Sequence, residues 1–525
     1  VIAALASLPI LAILASLFDT SEGALGHLAD TVLPQYILNT GGLMLLSGLL
    51  AILIGVSTAW LVAATEFPGR RIFAWMLVLP LAVPAYISAY IYADLLDFSG
   101  PVQSSLRAMT GWNVGDYAFP QIRSLTGAAL IFAITLYPYV YLLARAAFAK
   151  QSVSQFRAAR TLGATPRQAF WRIALPGARP AIAGGVALVL MEVLADFGVA
   201  EYFAIPTFST GIFRSWLAMG DKQAALQLAA VMLVFVVALI ALEASGRRGR
   251  QDSADGHVES TALVELSRGG QALAVLTCVI PVLLGFVIPA LHLTGLSLEI
   301  GDQLRAATLW SYASDSLWLG LATAGLTVIL ALILTFAKRR SDSRITKAAI
   351  RVSTLGYALP GALLAVGLLA PLGVLDVSLT RFSRDTFGMD HGLLLTGTSA
   401  ILIYALSVRF LTVAYNSADG GMAKIPLSLD AAARSLGATP TKVLRRIHIP
   451  LLSPSLAAAA ALVFIDTLRE LPATLILRPF NLETLATRVY RLASDEKLAE
   501  ASTAALMILA AGLIPVLLLN RASKR

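Results

Sequence analysis

Apolar residues run through this chain in long unbroken stretches separated by short polar segments, with neither the period of two of strands nor a narrow amphipathic stripe. About 20 mostly apolar residues cross the roughly 30 Å of bilayer hydrocarbon as a helix. Twelve stretches meet that length, near 1–18, 37–64, 73–96, 125–148, 180–200, 223–243, 271–295, 315–337, 349–373, 393–415, 454–477 and 498–520. The first, VIAALASLPILAILASLF, competes with a secretory signal segment, but it lacks an A-x-A cleavage site and is long for that role, which favours a retained span. Because the chain opens on Val1, further residues are expected before it.

Composition narrows the class. The 525 residues are 57% hydrophobic and 14% charged, with mean hydropathy +0.77, against about 25% charged in soluble domains. A soluble multidomain enzyme, a disordered chain and a disulfide scaffold are excluded, and the single Cys278 has no intrachain partner. A net charge of +9 taken alone would suggest nucleic acid. Its placement says otherwise. Arg145, Lys150, Arg157, Arg160, Arg167, Arg172 and Arg179 share one segment with no acidic residue, and Arg70, Arg71, the Lys338–Arg351 segment, Arg521, Lys524 and Arg525 fall on the same side of a twelve-span topology. The first opposite loop carries Asp19, Glu22 and Asp30. The positive-inside rule then puts both termini in the cytoplasm. The expectation is an all-α polytopic protein of the inner membrane, with lipid rather than nucleic acid as its surroundings.

The chain also repeats itself. RAARTLGATPRQAFWRIALPGARPAI around Gly163 returns as DAAARSLGATPTKVLRRIHIPLLSPSL around Gly437, 274 positions later. The register reads on without a gap from Glu192 to Asp466, Asp196 to Glu470, Thr210 to Thr484, Arg214 to Arg488 and Asp221 to Asp495. Six spans per copy, an even number, give both copies one orientation: two parallel six-helix repeats related by an axis along the membrane normal. The expected organisation is a first half over 1–245, a polar cytoplasmic linker over 246–270 and a second half over 271–525.

Each copy holds a polar loop, 151–176 and 425–450, with the order helix, glycine, helix, proline. Gly163 and Gly437 can end a helix at positive φ, Thr165 and Thr439 can cap its restart, and small residues at Ala158, Ala159 and Ala431–Ala433 leave room for another surface. A basic amphipathic helix resting on headgroups is the competing account; two copies favour a two-fold symmetric cytoplasmic partner. The spacing of Ala158, Ala159, Gly163 and Pro176, and of Asp430, Ala431, Ala432, Gly437 and Pro450, resembles the signature loop of permease subunits of ABC importers. The residue that opens the motif, just before the Ala-Ala pair, is Asp430 in copy two but Arg157 in copy one, so an equivalent salt bridge is in doubt at the first loop. PLAVPAYISAYIYADLLDFSGPVQ (80–103), LADFGVAEYFAIPTFSTGIFRSW (194–216) and LRELPATLILRPFNLETLATRVYRLASDE (468–496) are similar to the fused twelve-span permeases of ferric iron importers. That resemblance implies a type I importer pseudo-dimer whose two loops seat on two ATPase subunits, with ATP and magnesium held there, and a periplasmic binding protein delivering cargo.

Ionisable residues inside apolar runs are costly and ask for a partner or a wet path. Glu192 and Asp196 share a helix face, as do Asp466 and Glu470. Hard ferric ion favours oxygen donors, so these four are the candidate cargo path, contacting Fe3+ only transiently. Arg469 neutralising Asp466 or Glu470 is the competing account, as is a place at the wet end of the span for Asp196 or Glu470. Tyr86, Tyr90 and Tyr92 add phenolic oxygen to span three, although aromatic residues at membrane interfaces are common. Pro80, Pro84 and Pro360 are expected to kink helices, and Arg214 and Arg488 are candidates for docking the binding protein. No G-x-x-x-x-G-K-[ST] loop is present and the five histidines lack metal-ligand spacing, so a chain without ATPase activity or a bound cofactor is expected. A permease for another substrate such as thiamine, an ion-coupled secondary transporter and a membrane enzyme are the alternatives.

Overall fold

The computed structural model describes residues 1–18, 30–113, 115–150, 161–248, 264, 266–299, 306–389 and 392–523. Among them all regular structure is helical, apart from one isolated bridge between Thr65 and Val264. Among the described residues, nine helices are long and apolar enough to cross a membrane. Arg70–Ala82 with Ala85–Thr110 makes a pair bent by 88°, and Ile2–Phe18 and Leu498–Ile514 are shorter apolar helices. These elements overlap the twelve stretches read from the sequence, although the ninth starts at Gly361 and runs to Phe387 rather than over 349–373.

The first repeat contains α1 (Ile2–Ala15), α2 (Leu33–Ala64), α3 (Ala85–Leu96), α4 (Leu125–Lys150), α5 (Leu175–Ala195), the short α6 (Gly198–Tyr202) and α7 (Lys222–Arg248). The second contains α8 (Arg268–Val282), α9 (Ile288–Glu299), α10 (Ala306–Arg340), α11 (Gly361–Phe387), α12 (Ser399–Met422), α13 (Leu427–Ser435), α14 (Ile449–Leu468), α15 (Pro472–Leu477), α16 (Leu485–Ser494) and α17 (Leu498–Ser523). Pro84 and Pro360 do not kink continuous helices. Each is an N-cap, at φ −56° with ψ 139° and 143°, from which α3 and α11 start. A proline has no N–H to lose at a helix start, and it biases the preceding residue towards extended backbone.

Two compact units divide the chain, and they cut across the halves of the repeat. The first-repeat unit comprises 28–211, 233–303 and 489–525, and so takes in α8, α9 and α17. Its centre is held by small residues. A Cβ on Gly55 of α2 would lie 2.7 Å from the Val140 side chain, and one on Gly185 of α5 would lie 2.7 Å from the Val140 backbone. Two helices, α2 and α5, thus close on one residue of α4, a packing that bilayers favour because lipid supplies no hydrophobic drive between helices. The second-repeat unit comprises 1–27, 212–232 and 304–488. There α1 lays the Pro9 carbonyl and Ile13 against Gly367 of α11.

Candidate coupling loop and intramembrane charge sites

Arg157, Ala158 and Ala159 lie outside the described residues, so the first loop is described from Thr161 onward and the second in full. In the second, Pro426 caps α13, and Gly437 leaves the helix at φ 76° while its N–H bonds the Arg434 carbonyl at 2.9 Å. Gly163 takes φ 86° in the first. Nothing lies within 4 Å of a Cβ at either glycine, so the left-handed backbone and not crowding requires the residue. Thr165 exchanges hydrogen bonds with Gln168 in a capping box, and Thr439 accepts from Lys442 N. The restarted helix then runs on through a π turn, Phe170–Ala174 and Leu444–His448, into the next span. Pro176 and Pro450 therefore sit second in α5 and α14, inside one continuous helix rather than at a fresh start.

Asp430 faces inward. Its Oδ2 accepts from Arg339 Nε and its Oδ1 pairs with His448 Nε2, both at 2.8 Å. Arg339 Nη2 also donates to the Ile425 carbonyl at 2.9 Å, and the adjacent Lys338 reaches both Asp419 oxygens at 2.9 and 2.7 Å. The end of α10 is thereby fastened to α12 and α13 over a small apolar cluster of Met422, Ile425 and Leu452. Burial alone would raise the Asp430 pKa; the hydrogen bonds and charges of Arg339 and His448 outweigh it and hold the carboxyl below the usual range. Outward, Ala431 and Ala432 are exposed, and Leu436 is 86% exposed. The matching Leu162 is 88% exposed. Sequence reasoning passed over these leucines, although the shared Leu-Gly-Ala-Thr-Pro string contained them.

Within the spans the four candidate carboxylates have different surroundings. Glu470 ends α14 and caps α15: Oε1 accepts from Arg409 Nη1 and Ala473 N, each at 2.9 Å, and Oε2 accepts from Thr474 N at 2.9 Å and Thr474 Oγ1 at 2.7 Å. Its acceptor positions are filled. Asp466 forms an ion pair with Arg469. In the first-repeat unit Asp196 caps α6, its Oδ1 accepting from Val199 N at 2.8 Å, and Glu192 is half-buried one turn earlier. The 274-residue register puts Thr135 opposite Arg409 and Ala195 opposite Arg469, so neither arginine has a counterpart there. Among the described residues, no three His, Cys, Asp or Glu side chains are grouped to hold a metal.

The register itself needs one correction. Thr207 N donates to Thr210 Oγ1 at 2.9 Å, and Thr484 N to Thr487 Oγ1 at 3.0 Å. Phe208 N reaches Thr40 Oγ1, as Leu485 N reaches Ser316 Oγ. Thr207 therefore matches Thr484, 277 positions on, because the loop after α15 is longer than the loop after α6. Arg214, which is exposed, corresponds to the exposed Arg491. Arg488 is only 7% exposed, with its guanidinium 5.7 Å from the Tyr312 ring centre, and is not a surface docking residue. Two histidines hydrogen-bond to carboxylates, His448 Nε2 with Asp430 and His292 Nε2 with Asp94; His27, His257 and His391 lie outside the described residues.

The pattern of binding-protein-dependent transport system inner membrane components matches the chain twice, over 51–246 and 328–525. The chain is 26% identical over 494 residues to the Fe(3+)-transport system permease protein FbpB 2 of Haemophilus influenzae, covering 93% of this chain and 90% of that one. It is 23% identical to the ferric transport system permease protein FbpB of Actinobacillus pleuropneumoniae, over 89% and 69% of the two chains. The sulfate transport system permease protein CysT of Salmonella typhimurium is 28% identical over only 29% of this chain and 51% of its own. Two matched copies on one chain of apolar helices make this a fused, multi-pass inner membrane permease, and the chain belongs to the family of binding-protein-dependent transport system inner membrane components.

Proposed function

We propose that this chain moves ferric iron across the inner membrane, with energy from two separate cytoplasmic ATPase subunits. The observation that carries the reading is likeness along nearly the whole fused length to relatives named as ferric permeases. Both termini lie in the cytoplasm, as the basic loops argue. The ATPases seat on 151–176 and 425–450, contacting Ala158, Ala159, Leu162, Ala431, Ala432 and Leu436, while Gly163 and Gly437 set the turn. ATP binding acts through differential contacts at these loops. A periplasmic binding protein docks on the opposite side, where Arg214 and Arg491 are exposed. The chain itself holds no nucleotide and performs no covalent chemistry. Glu192 and Asp196 are the path carboxylates; Glu470 and Asp466 are each tied to an arginine within the second repeat.

Radioactive iron uptake by proteoliposomes containing this chain, an ATPase and a ferric binding protein tests the reading. ATP-dependent uptake of iron and not of thiamine is expected. Thiamine uptake in place of iron would overturn the cargo, and uptake without an ATPase would make the chain a secondary transporter.

A further inference from the structure

The tyrosines of α3 do different things. Tyr92 donates its hydroxyl to the Leu284 carbonyl. Tyr90 is 0% exposed, and its hydroxyl has no hydrogen-bond partner among the described residues. A buried tyrosine normally finds one, and phenylalanine would fill the same space without desolvating an oxygen. The Tyr90 ring meets Tyr202 edge-on at 4.5 Å and Tyr86 at 5.8 Å. Its hydroxyl interacts electrostatically with Asp196, Tyr202 and Tyr490. Asp196, Tyr202 and Tyr490 are themselves half-buried.

Beyond Tyr202 lies a second group of charges. Tyr202 interacts with Asp94, Asp97, Glu496 and Arg123. Arg123 pairs with Asp97 at 2.8 Å and Glu496 at 3.8 Å and sits 4.9 Å from the Tyr202 ring centre, so positive charge is already held at this point. Asp97 and Arg123 also line a cavity of about 440 Å3 with Gln103 and Tyr117. Tyr202 and Tyr90, in ring contact, stand with Asp196 inside the first-repeat unit.

The second repeat lacks this feature. Counted from the capping prolines, Tyr86 and Tyr90 become Ala362 and Val366, and counted from Glu470, Tyr202 becomes Ile476. Phenols are present beside the carboxylate without a counterpart to Arg409 and absent beside the one that arginine holds.

We propose that Asp196, Tyr90 and Tyr202, with Tyr490 beside them, form a station of oxygen donors that holds a hard trivalent cation transiently during passage. One carboxylate and two phenolates carry three negative charges, matching the cation; binding releases the two phenolic protons to water. Oxygen donors suit a hard ion, and phenolate is an established iron ligand. That the cation is ferric rests on the proposed cargo.

The full chain in detergent, titrated with ferric nitrilotriacetate, should develop the visible phenolate-to-iron charge-transfer band. Tyr90→Phe and Tyr202→Phe should each abolish most of it and cut iron uptake in proteoliposomes tenfold or more, with an unchanged or higher melting temperature. Tyr92→Phe should keep the band. A wild-type chain that transports iron without the band, or Phe variants that transport at the wild-type rate, would overturn the station. A band without any iron uptake would leave the station standing and sink the cargo assignment; the absence of both would sink both.

Discussion

Glu470 and Asp196 occupy the same place in the two repeats, each closing a long span and each capping the short helix after it. Their backbone task is shared and their electrostatic setting is not. Glu470 is 6% exposed, ion-paired with Arg409 and hydrogen-bonded on both oxygens, whereas Asp196 lies among phenols with Thr135 at the position of that arginine. Duplication supplied one fold element twice, and substitution of a few neighbours made the second copy a fastening, with Arg409 where the first has Thr135.

The largest expected effect comes from breaking the fastening. Removing one partner of a buried ion pair leaves an uncompensated charge and costs about 3–5 kcal/mol. Arg409→Met should lower stability by that amount in thermal unfolding of the purified chain. Thr135→Val, at the matching position, should cost under about 1 kcal/mol, because the Thr135 hydroxyl donates only to the Ile131 and Phe132 carbonyls of its own helix. Adding Glu470→Gln to Arg409→Met should recover much of the loss. Equal costs at both positions would dissolve the distinction between the copies.

A second contrast lies at the loops. Asp430 joins α13 to Arg339 and His448, and Ala174 stands where the first repeat would need the histidine. Hydrogen bonds to charged groups contribute about 1.5–3 kcal/mol each, so Asp430→Asn should destabilise the second loop by roughly one such bond. The lowered pKa gives this a pH signature. The contribution is complete above the unfolded-state value of about 3.9 and is lost as pH falls through the lower folded-state value. Wild-type stability should show that acid loss and Asp430→Asn should not. A loss already complete near neutral pH would place the stabilisation elsewhere. Gly163→Ala and Gly437→Ala, by contrast, should each cost about 1–2 kcal/mol, since both residues are left-handed with open space around them. Unequal values would mean that the two turns differ after all.

The helices and both turns were legible in the sequence because each follows from local rules: apolar length, a glycine before a capping threonine, a proline after. The bent entry to α3 was not, since Pro84 reads equally as a kink or as a cap until its neighbours are placed. The four intramembrane carboxylates were visible, and so was Arg469 as the neighbour that pairs with Asp466, but the partner of Glu470 was not, because Arg409 reaches it from 61 positions away. The register slip from 274 to 277 had the same origin. Arg214 aligns with Arg488 by eye, and only the matched hydrogen bonds of Thr207 and Thr484 show that Arg491 takes its place.

The smallest expected effect on stability distinguishes a docking surface from a structural one. Leu162 and Leu436 are almost fully exposed, and exposed substitutions usually change stability by no more than about 0.5 kcal/mol. Leu162→Ser and Leu436→Ser should therefore leave melting unchanged. An apolar side chain held outward beside a rigid turn has its role in what covers it, so each variant should lose ATPase subunit on co-purification, and the double variant should lose most. The two copies should weaken retention unequally: α13 is anchored through Asp430, so Leu436 is presented on a fixed helix, and its loss should matter more than that of Leu162. Equal losses would show that the buried Asp430 network stabilises the second loop without making it the stronger dock.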